Sequence, residues 1–263
     1  MHLTHCLQSF LVKFIFLMTL LSCCFQPNAK EISTASDIWC PYICQDSQQP
    51  GYIVEMINEI LQAKKLNTKN ETMPLARAIK YLQNGDIDIV LGLTQQHIDH
   101  HHLISSNLAV GNSTNDFFVN KKNSWRFSTI EQLEIYAKTG HKIGIIKGYF
   151  YGTELNELIA KQPDLFSYAH GDSPLQQLLS RLKSGRINIL LDSKNTVLHE
   201  IKKLNTAGIT YAGTQGMESK LYIALSKAIE PELLALIDQG ISDYRQSGKL
   251  DKLLAKYGIN DWQ

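Results

Sequence analysis

The sequence predicts an α/β protein of two lobes, each a mostly parallel sheet flanked by helices. Three observations carry that reading. Helical and strand-like patterns alternate from residue 50 onward. The strand-like runs are short and apolar, as in sheets covered on both faces. One helix–strand unit also recurs 100 residues later without a gap.

Pro50-Gly51 breaks the chain, and Ile53, Val54, Met56, Ile57, Ile60 and Leu61 then recur at helical spacing. Pro74 opens a second helix with Leu75, Ala78, Ile79 and Leu82 on its apolar face, and Gly85 ends it. The strand Ile87–Leu91 follows at once. Residues 74–91 and 174–191 share seven of eighteen identities: Pro74/Pro174, Leu75/Leu175, Leu82/Leu182, Gly85/Gly185, Ile87/Ile187, Ile89/Ile189 and Leu91/Leu191. Asp88 against Asn188 is a near match. Two lobes on one plan account for this pairing. Between the copies come a helix start at Ser128, with Glu131 completing its cap, and the strand His141–Ile146. After the second copy come a helix around Val197, Leu198 and Ile201, strands at Ile209–Tyr211 and Leu221–Leu225, and helical repeats to Tyr257. With no linker in sight, the lobes must be joined by chain crossings inside the fold.

Composition narrows the function. Hydrophobic residues make up 44% of the 263 residues and charged ones 19%, enough apolar content for a packed core. The formal charge is +1, and residues 1–29 contribute Lys13 and no acid. A balance so near zero argues against a nucleic-acid partner. Lys13 followed by the short apolar run Phe14–Leu21 has the layout of a secretory signal peptide over residues 1–29, too short for a membrane span. Leu20-Leu21-Ser22-Cys23 also resembles a lipoprotein site, so anchoring through Cys23 stands as an alternative to a soluble periplasmic protein. Beyond that segment only Cys40 and Cys44 remain. Two cysteines in an exported chain fit a disulfide, and one spanning so small a loop shapes a turn more than it restrains the unfolded chain.

Taken together, Trp39-Cys40-Pro41-Tyr42, Gly51-Tyr52, Pro74-Leu75-Ala76-Arg77-Ala78, the paired Gly85-Asp86-Ile87-Asp88 and Gly185-Arg186-Ile187-Asn188, Lys147–Gly152 and the ending Gly248–Tyr257 resemble the bacterial extracellular solute-binding proteins of family 3. The resemblance implies the type II periplasmic-binding-protein-like fold with a ligand cleft between the lobes. It places one discontinuous lobe at residues 30–111 plus 218–263 and the other at 112–217. It also implies hinge closure on the ligand and delivery to a membrane permease of an ABC-type transporter.

Candidate ligand-binding residues are Trp39, Tyr42, Arg77, Thr94, Gly148, Tyr149, Tyr151 and Asp192. Asp192 ends the second repeat strand; the resemblance has an aspartate there meet a ligand ammonium group, while the residue could equally cap the next helix. Arg77, in the first turn of its helix, opposes the helix dipole, which suggests a carboxylate partner or simple exposure. Thr94 follows the first repeat strand, and His97 stands where the family's typical members hold the α-carboxylate with an arginine. Trp39, Tyr42, Tyr149 and Tyr151 could stack on a ligand or pack a core. Backbone N–H groups of the turn beginning at Gly148 could meet an anion. The cluster His97, Asp99, His100, His101 and His102 could hold zinc or nickel; it reads instead as a solvated loop, with no metal site. No cofactor motif, paired carboxylates, Ser-His-Asp or Cys-His arrangement stands out. The expectation is a monomeric, non-enzymatic protein that captures a small polar ligand, an amino acid or related amine or carboxylate. The alternatives are an enzyme on the same scaffold, such as a dehydratase or peptidoglycan-cleaving enzyme, and a ligand-sensing partner of a membrane receptor.

Overall fold

The apolar runs of both repeats form strands buried on both faces. The structure, a computed structural model, describes residues 31–171, 173–229 and 231–262; the signal peptide expected over residues 1–29 and Cys23 lie outside them. In chain order the elements are β1 (Glu31–Ser36), α1 (Tyr52–Gln62), β2 (Asn67–Thr72), α2 (Leu75–Asn84), β3 (Ile89–Thr94), α3 (Gln95–His101), β4 (Ile104–Ser105), β5 (Gly111–Asn120), α4 (Ile130–Lys138), β6 (Ile143–Ile146), α5 (Thr153–Lys161), β7 (Phe166–Ala169), α6 (Pro174–Lys183), β8 (Ile189–Asp192), α7 (Lys194–Lys203), β9 (Ile209–Leu225), α8 (Pro231–Gln246) and α9 (Lys249–Tyr257).

The strand order is β2-β1-β3-β9-β5-β8-β6-β7, with β4 beside β9. β1 is parallel to β2 and β3, and β6 is parallel to β7 and β8. The two parallel groups are joined through the antiparallel pair β5 and β9. Alternate residues of each strand feed opposite cores. Ile89 and Leu91 pack against α1, α8 and α9, whereas Val90 and Leu93 face α2 and α3. In the other lobe Ile189 and Leu191 meet α4 and α5, whereas Leu190 faces α6 and α7. Each lobe therefore has helices on both faces of its sheet.

The repeat is a structural one. Asp88 accepts the Ser33 backbone N–H at 2.8 Å while its own N–H donates to the Ser33 carbonyl at 3.1 Å. Asn188 does the same to Lys142, at 2.9 and 2.8 Å. In each lobe the residue before the strand thus fastens the neighbouring parallel strand from its side chain and backbone together.

Several elements differ from the sequence expectation. The two strands expected at 209–211 and 221–225 are one strand of 17 residues, β9. Its middle carries Gly213 at φ 125° and Gly216 at φ 77°, conformations that glycine adopts without strain, and the strand runs on through both. The cap expected at Ser128 is provided by Thr129, whose side chain accepts the Gln132 N–H at 3.2 Å. The histidine segment expected as a loop is the helix α3, which ends at His102 in the left-handed region, φ 51°.

One turn seats the cleft. Residues Trp39–Cys44 fold back on themselves, with Cys40 and Cys44 joined by a disulfide, Cα atoms 4.8 Å apart. Gly51, at φ 97°, starts α1 beneath that turn, and a Cβ there would lie 2.4 Å from the Tyr42 carbonyl oxygen. Only glycine meets both demands. Gly51→Ala is therefore expected to cost at least about 2 kcal/mol, read as a lowered urea midpoint. An unchanged midpoint would show that the turn shifts freely.

Candidate ligand-binding site

The residues that follow the carboxyl ends of the parallel strands meet in one cleft, the usual place for a ligand in such sheets. Asp37 and Trp39 follow β1, Thr94 ends β3, Tyr149 and Tyr151 follow β6, and Asp192 ends β8. The cleft is also lined by Leu75, His97, Ser113, Asn115, Phe150 and Ser193, and holds about 680 Å³ of empty space including its open mouth.

Asp192 is the carboxylate in the cleft with an unmet need. It is 4% exposed. Its Oδ1 accepts the Ser193 N–H at 2.7 Å, while Oδ2 is buried without a partner. The Trp39 indole N–H lies near enough to favour the charge, yet forms no hydrogen bond of normal geometry, and Nε1 is itself unpartnered. Burial raises the Asp192 pKa from 3.8 to about 7, with Asp116 and Asp37 adding like-charge repulsion.

Asp116, by contrast, is spent on structure. Its Oδ2 accepts the Lys194 N–H at 2.8 Å and the Thr114 hydroxyl. A carboxylate from β5 thereby satisfies the first turn of α7. Asp192 does not cap α7 from its Oδ2, which leaves that oxygen free.

Asp37 accepts the Ile38 N–H at 2.8 Å and the Tyr149 hydroxyl at 3.3 Å, and burial holds its pKa above the ordinary carboxylate value. Burial, then the Asp37 charge, pushes the Tyr149 phenol well up. Tyr151 is a brace as well as a wall: its hydroxyl accepts the Ile146 N–H at 2.8 Å, and its carbonyl accepts from Asn115 at 2.6 Å. Thr94 Oγ1 and His97 Nδ1 lie 2.9 Å apart, and His97 Nε2 is buried with no partner. Burial, with His101 and His100 nearby, lowers the His97 pKa to about 4, so the ring is neutral at pH 7.

Of the residues singled out from sequence, Trp39, Thr94, Tyr149, Tyr151 and Asp192 come together in the cleft. Tyr42 lies beneath it, 1% exposed and stacked on Trp39 with centroids 4.5 Å apart. Its hydroxyl accepts from Asn195 Nδ2 at 3.1 Å and sits 3.4 Å from Ser193 Oγ. Gly148 is exposed, with nothing within 4 Å of a Cβ placed on it. Arg77 is exposed and outside the cleft lining. The cleft residues not singled out were Asp37, Phe150, Asn115 and the wall provided by β5. Asp37 directly follows β1, a strand whose polar sequence gives no apolar alternation to mark it. Among the described residues, one group of three could offer metal-ligand atoms, Cys40, Cys44 and His199, and its two sulfurs are bonded to each other.

A two-lobed α/β scaffold with ligand-seeking groups at its strand ends defines a binding-protein class. Residues 33–260 match the family model for bacterial extracellular solute-binding proteins, family 3, and the chain belongs to that family. Similar solved structures include a histidine kinase sensor domain described as similar to periplasmic binding proteins, at TM-score 0.73 and 15% identity over 88% of this chain and 97% of that one. An ancestral arginine-binding protein bound to arginine gives 0.70 at 20% identity, covering 86% and 97%. A putative L-cystine ABC transporter from Listeria monocytogenes gives 0.69 at 19% identity, covering 87% and 96%. No curated protein matches the chain. Among the described residues no helix is long and apolar enough to cross a membrane.

The Asp192 shift has a sign that can be checked. Its folded pKa of about 7 exceeds the ordinary 3.8, so its contribution is most favourable below 3.8 and is lost as pH rises to 7. At about 1.4 kcal/mol per pH unit the loss is on the order of 4 kcal/mol. His97, lowered to about 4, acts oppositely and costs stability as pH falls from 6.5. Comparison with Asp192→Asn isolates the aspartate. Without ligand, the variant is expected to melt above the wild type at pH 8 and to lose that advantage toward pH 4. A gap independent of pH would contradict the assignment.

Proposed function

We propose that the protein is exported to the periplasm and there captures a small polar solute, an amino acid or related amine, between its lobes for an ABC-type permease. The observation that carries this is Asp192: a buried carboxylate with one oxygen unpartnered, on the wall of an aromatic cleft, in a member of a solute-binding family. A buried charge of this kind requires a charged partner, and among the described residues no lysine or arginine lines the cleft.

In this proposal residues 30–111 plus 218–263 form one lobe and 112–217 the other. The crossings near Asn115 in β5 and Gly216 in β9 act as the hinge, where the β5–β9 register shifts between Thr114 and Asp116. Tyr42 with Asn195, and Tyr149 with Asp37, are then contacts made between the lobes on closure. The protein acts as a monomer, and its binding residues are Trp39, Thr94, Tyr149, Tyr151 and Asp192. Arg77 takes part only if the cleft reshapes around the solute.

The carboxyl of Asp192, poised near pH 7, also favours a second reading, proton transfer by an enzyme on this scaffold. One experiment addresses both. The mature protein is screened by thermal shift against amino acids, amines, organic acids and short peptides. A solute at a hundredfold excess over its Kd is expected to stabilise by about 2.7 kcal/mol, and Asp192→Ala to abolish the shift. Mass spectrometry is expected to recover the solute unchanged. Its conversion would establish the enzyme instead, and a flat screen would overturn solute capture.

A further inference from the structure

The charges around the cleft are of one sign. Asp37 and Asp192 line it, and among the described residues no lysine or arginine does. Arg77 is exposed elsewhere. Lys203 lines a second cavity, which shares Trp39, Tyr149 and Asp192 with the cleft, and stands there in company with Glu200. Asp116, the register partner of Asp192 across β5 and β8, is buried and accepts from the Lys194 backbone N–H and the Thr114 hydroxyl. The titratable ring on the wall, His97, is neutral at pH 7.

The rest of the wall is aromatic. Trp39, Tyr149, Phe150 and Tyr151 surround the two carboxylates, and faces of such rings attract cations. A ligand carboxylate entering here would meet two acids and no fixed positive side chain. With neutral donors only and no cation to offset the water it sheds, its charge would be poorly compensated. An ammonium group would meet Asp192 Oδ2, which has no other partner.

Resting on the solute-capture reading, we infer that the solute is an organic cation bearing an amine and no carboxylate, with its amine at Asp192 and its apolar part among Trp39, Tyr149 and Phe150. The preference is one of charge: removing the carboxylate from an amino acid turns a repelled ligand into a fitted one.

Calorimetric titration with matched pairs tests this directly. Agmatine and arginine, cadaverine and lysine, tyramine and tyrosine, and histamine and histidine each differ by one carboxylate. In at least one pair the amine is expected to bind the wild-type protein at least about tenfold more tightly than its parent. Asp192→Asn, checked for an intact melting transition, is expected to weaken that amine by at least about tenfold. Parent amino acids that bind as well as their amines, or better, would overturn the inference and leave solute capture standing. So would pairs that all fail while an acidic or neutral solute binds in the wider screen. If no solute of either set binds, both readings fall together.

Discussion

A carboxylate shielded from water needs either a partner or a proton, and this constraint organises the cleft. Asp192 has one oxygen tied to the Ser193 N–H and the other free, and burial moves its pKa to about 7. At neutral pH the ligand-free site therefore holds its acid near half-charge. A cationic solute would settle it in the charged form and recover the desolvation penalty. Nearby hydroxyls that could have donated to Asp192 are committed elsewhere. Tyr149 reaches Asp37. The Tyr151 hydroxyl braces the end of β6.

The scaffold keeps that acid in place through a device used twice. Asp88 and Asn188 each fasten the strand beside their own, fixing the parallel register on which β3 and β8 run toward the cleft. The strands β5 and β9 then bind the two groups into one sheet order, with Gly213 and Gly216 at positive φ in β9. In the proposed closure, the strand ends provide precision and this glycine-containing crossing provides movement.

Much of this was legible in the sequence because it depends on local pattern. The repeat from Pro74 to Leu91 and from Pro174 to Leu191 marked two helix–strand units, and both exist at the same place in their lobes. Asp192 was legible because it ends an apolar strand. The polar β1 and β2 were not, since Glu31–Ser36 and Asn67–Thr72 owe their conformation to pairing rather than to apolar alternation. The ten-residue β5 escaped for the same reason, its first half being Gly-Asn-Ser-Thr-Asn. Without β1 and β5, Asp37 and Asn115 had no visible reason to face a cleft. Arg77 was suggested by its conflict with a helix dipole; solvent screens that conflict, and the residue stands exposed. Tyr42 and Trp39 were read alike as aromatics of one turn, but stacking puts one under the other, so only Trp39 reaches the cleft.

The most direct test of the account is a carbon-13 NMR titration of the aspartate carboxyls, with Asp192→Asn assigning the signal. The account requires an apparent pKa near 7 without solute. On saturation with the bound amine it requires a fall to the ordinary carboxylate range or below, as a cation takes the free oxygen. A value near 4 in the empty protein, or one near 7 that the solute leaves unmoved, would contradict it.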